Sequence, residues 1–142
     1  MTYFRATDPF PLESANDTKL HEFYAQLAQG RLVTTRCAKC GTRAWPPRGF
    51  CGACASDVHE WVDLPAEGEV HAFTVQETGL PSGFEGPRIF AIVKVEDLRI
   101  FTILTGADPA AVTIGQRVRL KPMRVADDSK GNARHLPAFT PA

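Results

Sequence analysis

Four cysteines constrain this chain more tightly than any other feature. Cys37-Ala-Lys-Cys40 is followed by ten residues and then Cys51-Gly-Ala-Cys54, and no cysteine is left over. Each C-x-x-C turn brings two thiolates onto one ion, and two facing turns complete a tetrahedral four-sulfur shell, the usual closed structural zinc site. Cys37, Cys40, Cys51 and Cys54 are therefore expected to hold one structural Zn2+ per chain. An iron tetrathiolate of the rubredoxin kind would use the same four ligands, although zinc is the commoner occupant. Two disulfides would need an oxidising compartment. Met1 to Arg5 runs into Asp8-Pro9 without an apolar stretch, so no secretory leader is expected and a reducing, cytoplasmic setting fits. A thioredoxin-like redox pair would sit ahead of a βαβ helix, not in a small ribbon. With all four thiolates on a metal, no cysteine is free to act as a nucleophile.

Charge removes other classes. The chain carries 16 basic and 16 acidic residues in 142, and residues 1–66 and 67–142 are each balanced. A general nucleic-acid or membrane-surface protein would carry a basic excess. The longest unbroken apolar run, Ile89 to Val93, is far too short to span a bilayer.

Along the chain, residues 1–16 contain Pro9 and Pro11 and lack periodicity, which predicts an extended arm. A helix is expected from Asp17 or Thr18. Leu20, Phe23, Tyr24 and Leu27 make one apolar stripe, and Gly30 stands at the stop position. Leu32 to Thr35 reads as a strand entering the first knuckle, and Glu60 to Leu64 as the strand that closes the ribbon. Residues 31–54 hold five basic residues and no acidic one, which offsets the formal negative charge of a zinc tetrathiolate. The division expected is an arm and helix over 1–30, a zinc ribbon over 31–66 and a β domain over 67–142.

In the β domain five strands are expected: Val70 to Val75, Arg88 to Val95, Leu98 to Thr105, Arg117 to Val125 and Arg134 to Phe139. That number in about 75 residues suits a small closed barrel such as the oligonucleotide/oligosaccharide-binding (OB) fold, with an SH3-like barrel or open meander as alternatives. The second and third strands are apolar on both faces, and a small barrel buries only the inner one. The outer face therefore needs a cover, from the helix, the ribbon or a second protein. Arg117, Arg119 and Lys121 share one face of the fourth strand, with Arg124 nearby, and read as a solvated outer face or a phosphate contact. His21, His59, His71 and His135 are scattered, and no nucleophile-elbow, P-loop or dinucleotide motif is present.

Taken together, the residues resemble the DUF35 family from about Phe23 to Val125. The resemblance rests on Gly30-Arg31-Leu32, the knuckle Cys37 to Gly41, Trp45-Pro46-Pro47-Arg48, the knuckle Cys51 to Cys54, Glu60-Trp61-Val62, Gly68-Glu69-Val70, the loop Gly83-Phe84-Glu85-Gly86-Pro87, and Ile114-Gly115. The second knuckle departs from the family's pattern in lacking its proline and following glycine, the Glu96-Asp97 hairpin lacks a glycine, and a tail from Asp127 to Ala142 is added. The resemblance implies a mainly β chain: N-terminal helix, rubredoxin-like zinc ribbon, then a five-stranded OB-fold barrel. It also implies a non-catalytic acyl-CoA-binding and scaffolding subunit of lipid metabolism. Such a subunit associates with a thiolase-like enzyme, or with a hydratase or aldolase, as a hetero-oligomer or alone as a homodimer, without nucleic acid or membrane.

A CoA ester presents phosphates, an amide-bearing arm and an apolar end, so its pocket should offer cations, backbone polar groups and aromatic walls. Trp45, Arg48 and Phe50 between the knuckles, and Phe84 with Arg88 at the Gly79–Pro87 loop, meet that description. They are expected to wall one cleft if the ribbon folds against the barrel mouth. The competing class is a nucleic-acid-binding ribbon and OB module, in which Trp45, Phe50, Phe73 and Phe84 would stack bases.

Overall fold

The computed structural model describes residues 8–142, so the first seven residues of the expected arm lie outside it. The apolar stripe forms α1, His21–Ala28, which buries Phe23 and Leu27. It starts later than the periodicity predicts. Asp17 and Thr18 donate their backbone N–H groups to Ser14 O, and the Thr18 hydroxyl accepts from Leu20 N at 3.1 Å, so these residues form turns ahead of the helix. At the other end Gly30 N–H reaches Leu27 O and Arg31 N–H reaches Gln26 O, with Gly30 at φ +80°. This is the glycine-terminated pair of hydrogen bonds that stops a helix cleanly.

Two strands, β1 (Val33–Cys37) and β2 (His59–Asp63), pair antiparallel and carry the knuckles. Arg31 grips Asp63 in two bonds of 2.7 and 2.8 Å, and Arg36 pairs with Glu60 directly across the ladder.

The rest is a closed barrel. β3 (Glu67–Gln76), β4 (Arg88–Val95), β5 (Leu98–Leu104), β6 (Arg117–Leu120) and β9 (Ala138–Pro141) close in the order β3-β4-β5-β9-β6. All pairings are antiparallel except β5 with β9. The fourth and fifth expected strands are each broken. β6 gives way to β7 (Met123–Val125) and β8 (Arg134–Leu136) precedes β9, and β7 and β8 pair as a separate hairpin outside the barrel. Pro122 and Pro137 sit at the two breaks, where a residue without an N–H cannot serve the ladder. The tail is thus part of the fold: β9 seals the barrel, and Phe139 is fully buried.

A single core links the modules. Phe23 and Leu27 of the helix and Leu32, Val33 and Leu64 of the ribbon share a cluster with Val70, Val93, Ile100, Val118 and Phe139 of the barrel. Arg43 in the ribbon adds a polar tie. It pairs with Glu96 at 3.0 Å and with Asp97, both in the β4–β5 hairpin turn.

Candidate metal centre and surface clefts

The four cysteine sulfurs all lie within 4.8 Å of one another. Cys37 and Cys54 Sγ are 3.5 Å apart, as are Cys40 and Cys51 Sγ. Zinc–sulfur bonds of about 2.3 Å in a tetrahedron put sulfurs roughly 3.8 Å apart, so the spacing fits one ion and is far too long for a disulfide. Backbone N–H groups already aim at the sulfurs, Cys40 N at Cys37 Sγ (3.5 Å) and Ala53 N at Cys51 Sγ (3.3 Å). The Thr42 hydroxyl lies 3.2 Å from Cys40 Sγ, and as a donor to the thiolate it is the main cause that draws that thiol down to about 6. Chain segments 37–41 and 51–55 turn alike: Gly41 N–H returns to Cys37 O, and Ala55 N–H to Cys51 O. Ala55 takes φ +62° where a glycine would sit without strain. The donor set, spacing and N–H cradle together fit a structural zinc.

The other five residues singled out from the sequence do not share a cleft; they fall into three. Trp45 packs edge-on against Phe23 at 5.7 Å. With Leu20, Tyr24, Pro47 and Phe101 it lines a mainly apolar cleft of about 490 Å³ between helix, ribbon and barrel. Arg48 and Phe50 lie by the second knuckle. The backbone N–H of Arg48 donates to Thr35 Oγ1 at 3.0 Å, and Phe50 is 60% exposed. The space these two border is about 20 Å³, room for a water beside His59 Nδ1, a buried nitrogen with no partner among the described residues. Phe84 and Arg88 line a third cleft. The separation has a physical cause. Arg43 ties the ribbon to the turn after β4, whereas the Phe84 loop precedes β4, and eight strand residues span roughly 26 Å.

An aromatic row on the outer face of β4 and β5 runs between the first and third clefts. Phe84 meets Phe90 edge-on at 6.3 Å, and Phe90 stacks parallel on Phe101 at 5.9 Å with their planes 3° apart. Ile103 beside them is buried, whereas Phe101 is 68% exposed. The cover expected for this doubly apolar face is therefore incomplete. Arg117, Arg119 and Lys121 are all exposed, and Arg117 pairs with Glu67 at 3.3 Å, so they form a solvated face.

Sequence reasoning missed Arg134. Its side chain is 3% exposed. It holds Asp8 with two bonds of 2.7 and 3.0 Å, donates to the carbonyls of Ala126, Phe10, Pro11 and Asp127, and lies 5.6 Å from the Phe10 ring centre. Glu13 adds a second tie by accepting from His135 N–H at 3.0 Å. The arm is therefore strapped to β8, and Phe10 meets Phe84 edge-on at 5.8 Å. No local signal in the sequence points to this arginine, since Asp8 lies 126 residues away.

Comparison with known proteins agrees with this geometry. The model of the ChsH2 rubredoxin-like zinc ribbon domain matches residues 25–60, and that of the ChsH2 C-terminal OB-fold domain matches residues 61–121. A DUF35 domain-containing scaffold protein of Methanocaldococcus jannaschii is 31% identical over 101 residues, 68% of this chain and 71% of that protein. This chain belongs to the DUF35 family. Among solved structures, the Ltp2-ChsH2(DUF35) aldolase is similar at TM-score 0.70 and 30% identity, over 84% of this chain and 91% of that one. A DUF35 protein of unknown function from Sulfolobus solfataricus shares the fold at TM-score 0.54 and 16% identity, over 85% and 83% of the two chains. The DUF35 zinc ribbon and OB fold expected from the residues are both present.

Proposed function

We propose that this DUF35 chain is a non-catalytic subunit that scaffolds an acyl-CoA-processing enzyme of the thiolase or aldolase kind and holds part of the acyl-CoA. The observation that carries the reading is the row Phe84–Phe90–Phe101, an apolar track on the outer face of the barrel with a cleft at each end. A face of this kind is what a partner or an apolar ligand covers. The similar structure is a complex of a DUF35 chain in an aldolase, and the curated relative is a scaffold. In this reading the acyl end takes the Trp45 cleft, the pantetheine arm follows the row, and Phe84 and Arg88 hold the opposite end. Arg48 and Phe50, beside the second knuckle and in neither cleft, are the comparison set.

The test is purification of the untagged protein from its own host, followed by calorimetric titration of the resulting complex with acyl-CoA. Co-purification of a thiolase-fold enzyme and loss of acyl-CoA binding in Phe101→Ser support the reading. Phe101 is exposed, so that variant should keep its melting temperature. A monomer that brings down no enzyme and binds no acyl-CoA sinks it.

A further inference from the structure

The third cleft holds about 420 Å³ and is made by three separated stretches of chain: Pro9 and Phe10 of the arm, Ser82 to Phe84 with Arg88, and Met123 to Ala126. Its walls carry two arginines, a serine hydroxyl and two half-buried phenylalanines, and no acidic side chain lines it among the described residues. Among the described residues Arg88 makes one side-chain hydrogen bond, Nε to Glu85 O at 3.0 Å, and its two terminal nitrogens have no partner there. Arg124 pairs with Asp127 through one terminal nitrogen at 3.1 Å, and that pair is exposed. Arg134, the remaining nearby cation among the described residues, is spent on Asp8 and four carbonyls behind the wall. Loop and arm are in close packing: a Cβ on Gly83 would meet Phe10 Cζ at 2.8 Å and Pro9 Cγ at 2.9 Å. The cleft is thus a built one, shaped by the Arg134 strap.

Guanidinium groups are suited to phosphoryl oxygens, which they bind through paired N–H donors. Aromatic faces beside them accept a planar base. We infer that the cleft between the arm and the Gly79–Pro87 loop binds a nucleotide, with Arg88 and Arg124 on its phosphoryl group and Phe84 against its base. The inference deepens the acyl-CoA reading, because CoA ends in a phosphorylated adenosine, but it stands on the chemistry of the cleft. It assigns Arg124 a role and makes the N-terminal strap a wall of the site.

The experiment titrates the full-length, zinc-loaded chain with adenosine 3′,5′-bisphosphate, inorganic phosphate, adenosine, acetyl-CoA and a ten-nucleotide oligothymidylate. The bisphosphate should bind more tightly than phosphate or adenosine. Phe84→Ala, and the double variant Arg88→Gln with Arg124→Gln, should each weaken it about tenfold or more, as loss of charge-assisted bonds or of a stacking surface predicts. Arg119→Gln, on the solvated face of β6, should leave it unchanged. The arginine variants replace partly or fully exposed side chains, so they test the site even if Phe84→Ala destabilises the loop. No bisphosphate binding at millimolar concentration, or binding indifferent to all three residues, overturns the inference. Tighter binding of the oligothymidylate also overturns it, in favour of a nucleic-acid groove. If acetyl-CoA binds and is lost in Phe101→Ser but ignores Arg88, Arg124 and Phe84, the inference fails, and the acyl-CoA reading stands without Phe84 and Arg88 as the holders of its opposite end. If the bisphosphate binds as described and acetyl-CoA does not, the nucleotide site stands and the acyl-CoA reading fails.

Discussion

Asp8 and Glu13 hold the same arm to the same strand, and they answer pH in opposite directions. The Asp8 carboxyl is held below its ordinary value, chiefly by the Arg134 hydrogen bonds. Its contribution is therefore present above the usual carboxylate range and is lost as pH falls through the lowered value. Burial pushes the Glu13 carboxyl up, against the bond from His135 N–H and the nearby Arg134. Its favourable state is the protonated one, so that contribution is lost as pH rises through the raised value. Asp128 and Arg134 face both groups, and Asp128 is itself held low by the Asn132 backbone and side chain. Protection of the Phe10 N–H, which donates to Asp8 Oδ1, should fall at acid pH. Asp8→Asn should abolish that acid dependence, and Glu13→Gln should remove the fall on the alkaline side at His135 N–H. Amide hydrogen exchange across pH 3 to 8 checks both; an acid limb that survives Asp8→Asn would place its origin in another group. None of this was legible in the sequence. Arg134, Asp8 and Glu13 are ordinary residues one at a time, and only the folded chain brings them together. The cysteines were legible because their geometry is local: two residues between ligands make the turn, whatever else the chain does.

At the scale of elements, legibility followed the range of the pairing. β4 and β5 are joined by the Glu96-Asp97 turn, and both their limits and their two-sided apolar character could be read from alternation. The breaks at Pro122 and Pro137 could have been read as well, because proline cannot serve a continuous ladder; an unbroken fourth strand gave alternation more weight than it carries. The β5–β9 pairing was beyond reach, since it joins parallel strands more than thirty residues apart. Gly68 shows how such closure constrains a single position. It sits in β3 opposite Val118, and a Cβ there would meet Lys94 O at 2.5 Å and Val93 Cγ1 at 2.8 Å. The obstacle at 2.5 Å is backbone, so the strand itself must shift. Gly68→Ala should destabilise the protein by about 1–3 kcal/mol, the usual cost of overpacking. Chemical denaturation measures it, with Gly131→Ala, whose Cβ would meet nothing within 4 Å, as a strain-only comparison at φ +83°. A Gly68→Ala loss no larger than a few tenths of a kcal/mol would show that the strand yields to the Lys94 carbonyl contact without the expected cost.

At the scale of the whole molecule, balanced charge and a shared core decide the behaviour. The formal net charge is zero, and among the ribbon's arginines Arg31, Arg36 and Arg43 are each paired with an acid. Long single strands of DNA or RNA should therefore give no complex at low micromolar protein and physiological salt, although Phe90 and Phe101 lie on the strands that other OB folds use for oligonucleotides. A gel-shift complex that weakens steeply with salt would reverse this. Metal removal tests how far the modules depend on one another. Structural zinc in small ribbons is worth roughly 10–16 kcal/mol of apparent binding energy, so chelation should unfold at least residues 31–64. The barrel should not escape. Leu32, Val33 and Leu64 belong to the same buried cluster as Val93 and Val118, and Trp45 packs on Phe23 of the helix. Unfolding the ribbon strips that side of the cluster and frees Glu96 and Asp97 from Arg43, so the barrel should melt at a lower temperature after chelation. Cys51→Ser should lose zinc and reproduce that drop. The measurement pairs metal analysis with calorimetry, following Trp45 and Trp61 for the ribbon and amide exchange at Val93 and Val118 for the barrel. A barrel whose melting temperature stays constant while the ribbon unfolds would show two independent units behind one continuous core.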